Sequence, residues 1–301
     1  MRQLYFQLLE KSISMIKVKE VRSFSEKLGV PALTIDKDWV LGHFLSGLFD
    51  NDYFQENLVF KGGTCLKKCY FENYRFSEDL DFTAIRIKRS KILSNLKKVI
   101  QKVESETGIL FGKVEIKNQS FVDQLVAYAC RIQFYGADHP DSKKIPPQSR
   151  WQTSIKLDFT LHETICLNKE DRKIIHPYSD VLPCYYAVCY PIEEILAEKF
   201  RALLQRKYAA PRDYYDLWYI ITNHTTEIQW DKVASVFKEK CQYKNIICNT
   251  PEDFFDKNRM NNSEKEWSNS LKHHLSKVPL FDTVITDLKQ QVYKHKRLWD
   301  Y

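Results

Sequence analysis

The sequence predicts an α+β protein whose first part mixes helices with strands and whose second part is helical. Two observations support this prediction. Runs with the alternating polarity of strands lie before about residue 190, at 76–87 and in three later segments. Beyond that point apolar residues recur at helical spacing to the carboxyl end. We therefore expect two domains, formed by residues 1–187 and 188–301.

The first part is predicted to begin with helices and to continue with a strand, a turn and a helix. In chain order, the pattern predicts helical structure over 18–50 with Asp36 as an N-cap, a short buried strand in LVFKGG, a helix of about three turns in TCLKKCYFENY, a strand in FSEDLDFTAIRI and a helix over 90–105. Three further strands are predicted near 109–117, 126–135 and 151–161.

The second part is predicted to contain several helices that begin at proline or at a capping residue. The predicted starts are Pro191, Pro211, Asp231 and Thr250-Pro251. Proline suits the first helical position because its missing N–H would have no partner there. Threonine at the preceding position can cap the helix.

Composition excludes several classes of protein. With 44% hydrophobic and 28% charged residues, the chain has the balance of a soluble globular protein, and its net charge of +7 leans towards a polyanionic partner. The eight cysteines form no CxxC pair and have no zinc-type spacing with histidine, so we expect buried free thiols and a reducing compartment. Neither a signal peptide nor a membrane span is predicted, which favours a cytoplasmic protein without membrane contact.

The glycine pair after the first predicted strand has two interpretations. Gly62 and Gly63 let a backbone approach a phosphate closely, and Thr64 then opens a helix whose first amides are unpaired. The same pattern also occurs in ordinary turns. It is not a P-loop, because the GxxxxGK[ST] spacing is missing.

Aspartates on two predicted strands favour the phosphate interpretation. Asp79 and Asp81 are two residues apart, so both carboxylates project from one face of their strand. Neighbouring carboxylates repel unless a cation or hydrogen-bond donors compensate. Asp158 lies on the polar face of WQTSIKLDFTL and is the candidate for a third carboxylate at a shared metal ion.

A lysine in the apolar stripe of the helix PIEEILAEKFRALLQR is a second anomaly. On a helical wheel Lys199 falls among the apolar residues, with Arg206 close by, whereas Glu193, Glu194, Glu198, Arg201 and Gln205 fall on the opposite face, which is predicted to be solvated. Two explanations stand side by side. Lys199 or Arg206 pairs with Asp213 of the next helix, or Asp213 orients Lys199 towards a triphosphate.

These motifs together resemble a known family. KGGT, RFSEDLDF, the later strand with an isolated aspartate, and EKFRALLQR followed by PRDYYDLW resemble the AbiEii/AbiGii-type nucleotidyltransferase toxins of the polymerase-β-like superfamily. The MenT-type tRNA-modifying toxins are relatives of that family. The resemblance extends from about residue 36 to 222, and nothing specific matches beyond about 225.

The resemblance implies a polymerase-β-like core with a mixed sheet, followed by a helical C-terminal domain. It implies that Gly62, Gly63, Thr64 and Ser77 bind phosphate, that Asp79 and Asp81 hold Mg²⁺ or Mn²⁺, and that Lys199 contacts the triphosphate with Asp213 as its partner. Lys61 and Arg206 complete the predicted nucleotide-binding set, while Asp158, as third metal ligand or base, depends on the strand pattern. An NTP is the implied co-substrate, and a cognate antitoxin is the implied partner in a toxin–antitoxin or abortive-infection system.

The acceptor is predicted to be RNA, in particular a tRNA 3′ end. Residues 85–103 carry seven basic side chains and no acid, and residues 199–212 carry five and no acid. Such faces suit an RNA backbone, although charged helix faces are often merely solvated. Two alternatives stay open: a nucleotidyltransferase that modifies a protein or small molecule, and a non-catalytic RNA-binding module on the same core.

Overall fold

The computed structural model describes residues 16–139, 144–224 and 226–295. It divides into two compact units, one within Met1–His162 and Asp171–Cys189 and the other within Glu163–Glu170 and Tyr190–Tyr301. The prediction that the chain folds as domains divided at 187/188 stays a prediction. Among the residues that the structure describes, no helix combines the length and apolar character needed to cross a lipid bilayer.

The elements up to residue 189 alternate between helices and strands. In order they are α1 (Val18–Leu28), α2 (Ala32–Phe49), α3 (Asp52–Asn57), β1 (Leu58–Lys61), α4 (Gly62–Cys65) with a π-helical turn (Leu66–Tyr70), β2 (Asp79–Ala84), α5 (Arg89–Thr107), β3 (Leu110–Phe121), β4 (Gln124–Tyr135), β5 (Ser154–Thr160), β6 (Glu170–Lys173) and β7 (Tyr186–Cys189).

The strands form one mixed sheet in the order β3-β4-β5-β2-β1-β7-β6. Strand β2 runs antiparallel to β1 and parallel to β5, so the predicted mixed α+β architecture is confirmed. Strand β1 is covered on both faces, as the burial of each of its residues indicates. Helix α2 is buried along most of its length and approaches α5 closely at Gly47, where an added Cβ would lie 2.8 Å from a methyl carbon of Val103.

The elements after residue 189 are helical, as predicted. They are α6 (Ile192–Gln205), α7 (Pro211–Asn223), α8 (Trp230–Tyr243), a 3₁₀ helix (Pro251–Phe255), α9 (Lys257–Leu271) and α10 (Phe281–Lys294). The predicted starts agree within one residue. Thr250 and Asp253 form a reciprocal capping box at the 3₁₀ helix, which explains the signal found there.

Two local predictions are wrong. Asp36 does not cap a helix, because α2 begins at Ala32; its buried carboxylate instead accepts a hydrogen bond from the amide of Ala137 at 2.7 Å. The helix expected over TCLKKCYFENY ends at Tyr70. The carbonyl of Lys68 accepts the amide of Ile175, at 2.6 Å, rather than an amide further along the helix.

Candidate active site

Three carboxylates lie on one face of the sheet at the β2–β5 pair. The parallel register sets Asp81 beside Asp158 and Asp79 beside Lys156. Because side chains alternate between faces, all four project from the same side, while the intervening Leu80 belongs to the buried core. The three aspartates are half-buried. The structure therefore brings together the carboxylates that the strand patterns predicted.

The electrostatics of this group favour binding of a cation. Burial, and then the charge of Asp79, raise the pKa of Asp158, although Lys156 opposes the shift. Oδ1 of Asp79 is buried, and none of the described residues donates a hydrogen bond to it. Its ion pair with Nζ of Lys156 is 3.5 Å long. Clustered carboxylates with an unsatisfied oxygen are the hard ligands that Mg²⁺ and Mn²⁺ prefer.

The glycine pair lies directly against this carboxylate group. Gly62 has φ +76°, and a Cβ added there would lie 2.3 Å from Oδ2 of Asp81. A Cβ on Gly63 would lie 2.7 Å from Nη2 of Arg75 and 3.3 Å from Oγ of Ser77. Glycine allows both close approaches because it has no Cβ, and at Gly62 it also suits the positive φ.

Thr64 and Lys61 flank the glycine pair. The hydroxyl of Thr64 donates a hydrogen bond to the backbone oxygen of Asp79, and it thereby holds the start of β2 against α4. Lys61 is buried on β1 and is the register partner of Asp81. Lys61 thus ends the strand before the glycine pair and Thr64 lies in the helix that the pair begins, where it also positions β2.

Two cationic residues of this region were not predicted as site residues. Arg75 is buried beside Gly63 and donates to the backbone oxygen of Phe76 at 3.1 Å. Its position inside RFSEDLDF was the available signal. Lys156 shares the polar face of its strand with Asp158, and strand alternation alone could have indicated it.

In the helical unit, Lys199 forms a compact ion-pair cluster with two aspartates of α7. Its Nζ lies 2.9 Å from Oδ1 of Asp213 and 2.7 Å from Oδ2 of Asp216. Nε of Arg206 lies 3.2 Å from Oδ2 of Asp213. Burial opposes ionisation of Asp213, but the charges of Lys199 and Arg206 outweigh it and lower its pKa. The interhelical ion pair is confirmed. The fully buried Asp216, which the helical wheel places nearer the edge of the apolar stripe, was not predicted to take part in it.

The prediction that the opposite face of α6 is solvated is wrong for most of its members. Glu193, Glu194 and Arg201 are buried. Helix α8 covers this face and places Nζ of Lys240 2.9 Å from Glu194, while the amides of Cys166 and Leu167 donate to the Glu194 carboxylate. A wheel drawn for one helix cannot show that a second helix and residues 163–170 pack against its polar side.

The two basic segments differ in their surroundings. In 85–103 six of the seven basic side chains are exposed: Arg86, Lys88, Arg89, Lys91, Lys97 and Lys98. The seventh, Lys102, pairs with Asp50. In 199–212, by contrast, Lys199, Arg201 and Arg206 already pair with acids. The first segment is therefore the larger solvated basic surface, whereas only Arg206 and Lys207 of the basic side chains are exposed in the second.

Comparison with known proteins identifies the family. The model of the nucleotidyl transferase AbiEii toxins of type IV toxin–antitoxin systems matches residues 43–287. The chain belongs to the AbiEii family. The family resemblance predicted from the sequence motifs is thereby confirmed. No curated protein matches the chain significantly.

Solved structures confirm the fold of this AbiEii protein. MenT4, a nucleotidyltransferase toxin from Mycobacterium tuberculosis H37Rv, is similar over 95% of this chain and 90% of its own, with a TM-score of 0.61 and 19% identity. JHP933 from Helicobacter pylori is similar over 89% of this chain and 94% of its own, with a TM-score of 0.55 and 18% identity.

Proposed function

We propose that this AbiEii protein transfers a nucleoside monophosphate from an NTP to an RNA hydroxyl and releases pyrophosphate. The observation that carries the proposal is the carboxylate trio of Asp79, Asp81 and Asp158, set directly against the glycine pair. Family membership supplies the reaction class. The trio would supply ligands for a divalent ion, and the backbone at the glycines of the same unit would bind a phosphate.

The carboxylates would hold Mg²⁺ or Mn²⁺. The buried, unsatisfied Oδ1 of Asp79 and the raised pKa of Asp158 are both signs of negative charge that a cation would neutralise. A divalent ion, when bound, screens the triphosphate and makes an acceptor hydroxyl easier to deprotonate. The metal set proposed is therefore Asp79 and Asp81, with Asp158 as third ligand or as base.

The residues of the chain then have distinct tasks. The backbone at Gly62 and Gly63, with Ser77 beside it, binds and orients the phosphates. The acceptor oxygen forms a bond to the α-phosphorus as the bond to the bridging oxygen of the β-phosphate breaks. Asp158 takes the proton of the acceptor hydroxyl, a task that suits a carboxylate whose pKa is raised by burial and by the charge of Asp79.

Lys199 and Arg206 are proposed to stabilise the charge of the triphosphate and of departing pyrophosphate. What supports this role is that both cations are held by Asp213, and Lys199 also by Asp216, so their positions are fixed. Lys199→Gln should raise the KM for NTP. The purely structural alternative predicts a loss of stability with an unchanged KM.

An RNA acceptor is favoured by the exposed basic surface of residues 86–98. Binding through several phosphates weakens steeply as salt rises, whereas binding of a small molecule does not. A Lys97→Ala/Lys98→Ala variant should lower the slope of log affinity against log salt by about 2. Lys257→Ala/Lys265→Ala, which removes two exposed lysines of α9, is the matched control and should leave the slope unchanged.

The reaction itself is tested with purified protein, total RNA and each of four labelled NTPs in turn, with Mg²⁺ or Mn²⁺. The proposal predicts label in RNA from a preferred NTP, with a tRNA-sized band marking the acceptor class. Label in protein or small molecules alone would reject RNA as acceptor. Coexpression with the neighbouring gene's product tests for the cognate antitoxin that family membership implies.

A further inference from the structure

Three cysteines that are far apart in sequence meet in the sheet-bearing unit. Cys65 and Cys189 are fully buried and Cys69 is nearly so. Their three Sγ atoms all lie within 4.8 Å of one another. The sequence has no CxxC pair and no zinc-type spacing of cysteine with histidine, so only free thiols were predicted here; the three residues between Cys65 and Cys69 are nevertheless compatible with a metal site.

The fold explains why these thiols meet. Cys65 ends α4, and Cys69 lies one turn later in the π-helical segment. Cys189 comes from β7, whose parallel pairing sets it beside Phe60 of β1, five residues before Cys65. Short π-helical segments recur at functional sites. In this segment the amide of Phe71 donates to the carbonyl of Leu66 at 2.8 Å, which fixes the turn that carries Cys69.

The surroundings of the cluster favour negative charge on one of the three sulfurs, that of Cys69. The guanidinium of Arg172 stacks on the ring of Tyr70, 4.1 Å from its centroid, and Nε of Arg172 donates to the backbone oxygen of Cys69 at 3.4 Å. Hydrogen bonds from the thiols of Cys189 and Cys65, together with the charges of Arg172 and Lys68, lower the pKa of Cys69. Burial acts in the opposite direction on Cys65 and Cys189 and raises the pKa of each.

We propose that Cys65, Cys69 and Cys189 form a site for a thiophilic closed-shell metal ion, Zn²⁺ or Cu⁺. Soft thiolates select these ions. A metal–sulfur bond of about 2.3 Å requires sulfur atoms about 4 Å apart, so small rotations of the side chains suffice. Three thiolates around either ion leave a net negative charge, and Arg172 and Lys68 lie where they offset it. The ion would fasten α4, and with it the glycine pair, to β7.

The ligand count distinguishes the two ions. Among the described residues, no fourth cysteine, histidine, aspartate or glutamate joins the group. Structural zinc sites are almost always four-coordinate, so Zn²⁺ would need a water molecule in this buried place. A three-coordinate Cu⁺ needs none. Both ions bind the same three sulfurs, and the experiment separates them.

The test uses the full-length protein, reduced and loaded anaerobically with Zn²⁺ or with Cu⁺, then challenged with a chromophoric chelator. Single variants Cys65→Ala, Cys69→Ala and Cys189→Ala are compared with Cys241→Ala, which removes a buried cysteine of α8 outside the cluster. The proposal predicts one retained equivalent of one of the two ions in the wild type and in Cys241→Ala, and loss of retention in each cluster variant. The retained ion should also raise the Tm of the wild type and of Cys241→Ala, but not that of the three cluster variants.

A cobalt-loaded wild type gives a second measurement that needs no variant to fold. Thiolate-to-cobalt charge-transfer absorption grows with the number of bound thiolates, and an intensity that corresponds to three of them supports the site. Retention of neither ion, or retention that survives in all three cluster variants, would overturn the proposal. If Zn²⁺ is the retained ion, absence of the charge-transfer band would overturn it as well. So would a mass lower by two hydrogens in the freshly isolated protein, if peptide mapping assigns the disulfide to two cysteines of the cluster.

Discussion

Replacing Gly62 by alanine adds a single carbon atom at the candidate active site. Gly62 has φ +76°, in the left-handed region that L-residues avoid, and the added Cβ would lie 2.3 Å from Oδ2 of Asp81. The substitution therefore has two separable costs. One is conformational and affects the stability of the fold. The other is steric and displaces a carboxylate proposed to hold the metal ion.

The two costs differ in size. Holding alanine in a left-handed conformation costs about 1–2 kcal/mol. An ordinary contact between a carbon and an oxygen atom needs roughly 1 Å more than the 2.3 Å available, so the Asp81 carboxylate must retreat by about that distance. A misplacement of about 1 Å lowers the rate of an enzyme by about 100-fold. We expect a modest loss of stability together with a large loss of activity.

Gly108→Ala is the matched control. Gly108 follows α5 with φ 75°, so its replacement carries the same conformational cost without touching a carboxylate. Thermal unfolding should show similar losses for both variants, while incorporation of labelled nucleotide should fall about 100-fold only in Gly62→Ala. If Gly62→Ala kept activity within about threefold of Gly108→Ala, the proposed role of Asp81 and its contact with the glycine turn would be refuted.

Two further predictions concern buried charges. Lys240 is fully buried, and its Nζ lies 2.9 Å from Glu194 and 3.2 Å from Glu198. Lys240→Met should therefore lower the free energy of unfolding by about 3–5 kcal/mol in urea titrations. Replacement of the exposed Lys232 by methionine should change it by less than about 0.5 kcal/mol, and equal effects of the two substitutions would contradict the buried network. Burial raises the pKa of Asp36 from 3.8 to about 7, so the folded protein favours the protonated carboxyl group. The protonated Asp36 contributes to the free energy of unfolding fully below pH about 4, and this contribution is lost as the pH rises through about 7. The loss is on the order of 4 kcal/mol. Asp36→Asn should remove this pH dependence, and parallel profiles for variant and wild type would contradict it.

The strand faces could be predicted from the sequence, but the pairing of strands could not. Alternation in FSEDLDF and WQTSIKLDFTL placed Asp79, Asp81 and Asp158 on polar faces, and that is where they lie. The alternation contains no information on which strands are neighbours. Only the parallel register of β2 and β5 sets Asp81 beside Asp158, and it also brings Lys156 to Asp79.

Features that depend on packing between distant segments were missed for the same reason. Lys199 was found because one helix suffices to show a lysine in an apolar stripe. The burial of Glu194 depends on α8, and the meeting of Cys65 with Cys189 depends on β7. Asp36 was predicted to cap a helix because a local pattern does not show its partner, the amide of Ala137, about a hundred residues later in the sequence. Local patterns carry no signal for such contacts.

The central claim is that the carboxylates of β2 and β5 carry out nucleotidyl transfer. Incorporation of labelled NTP into RNA by Asp81→Asn, compared with wild type and with Asp171→Asn, tests it most directly. Asp171 is an exposed aspartate of β6 in the same sheet, so its replacement controls for loss of a strand carboxylate. The account predicts that Asp81→Asn abolishes incorporation with an unchanged circular dichroism spectrum and that Asp171→Asn retains it. Incorporation by Asp81→Asn at the wild-type rate would contradict the account.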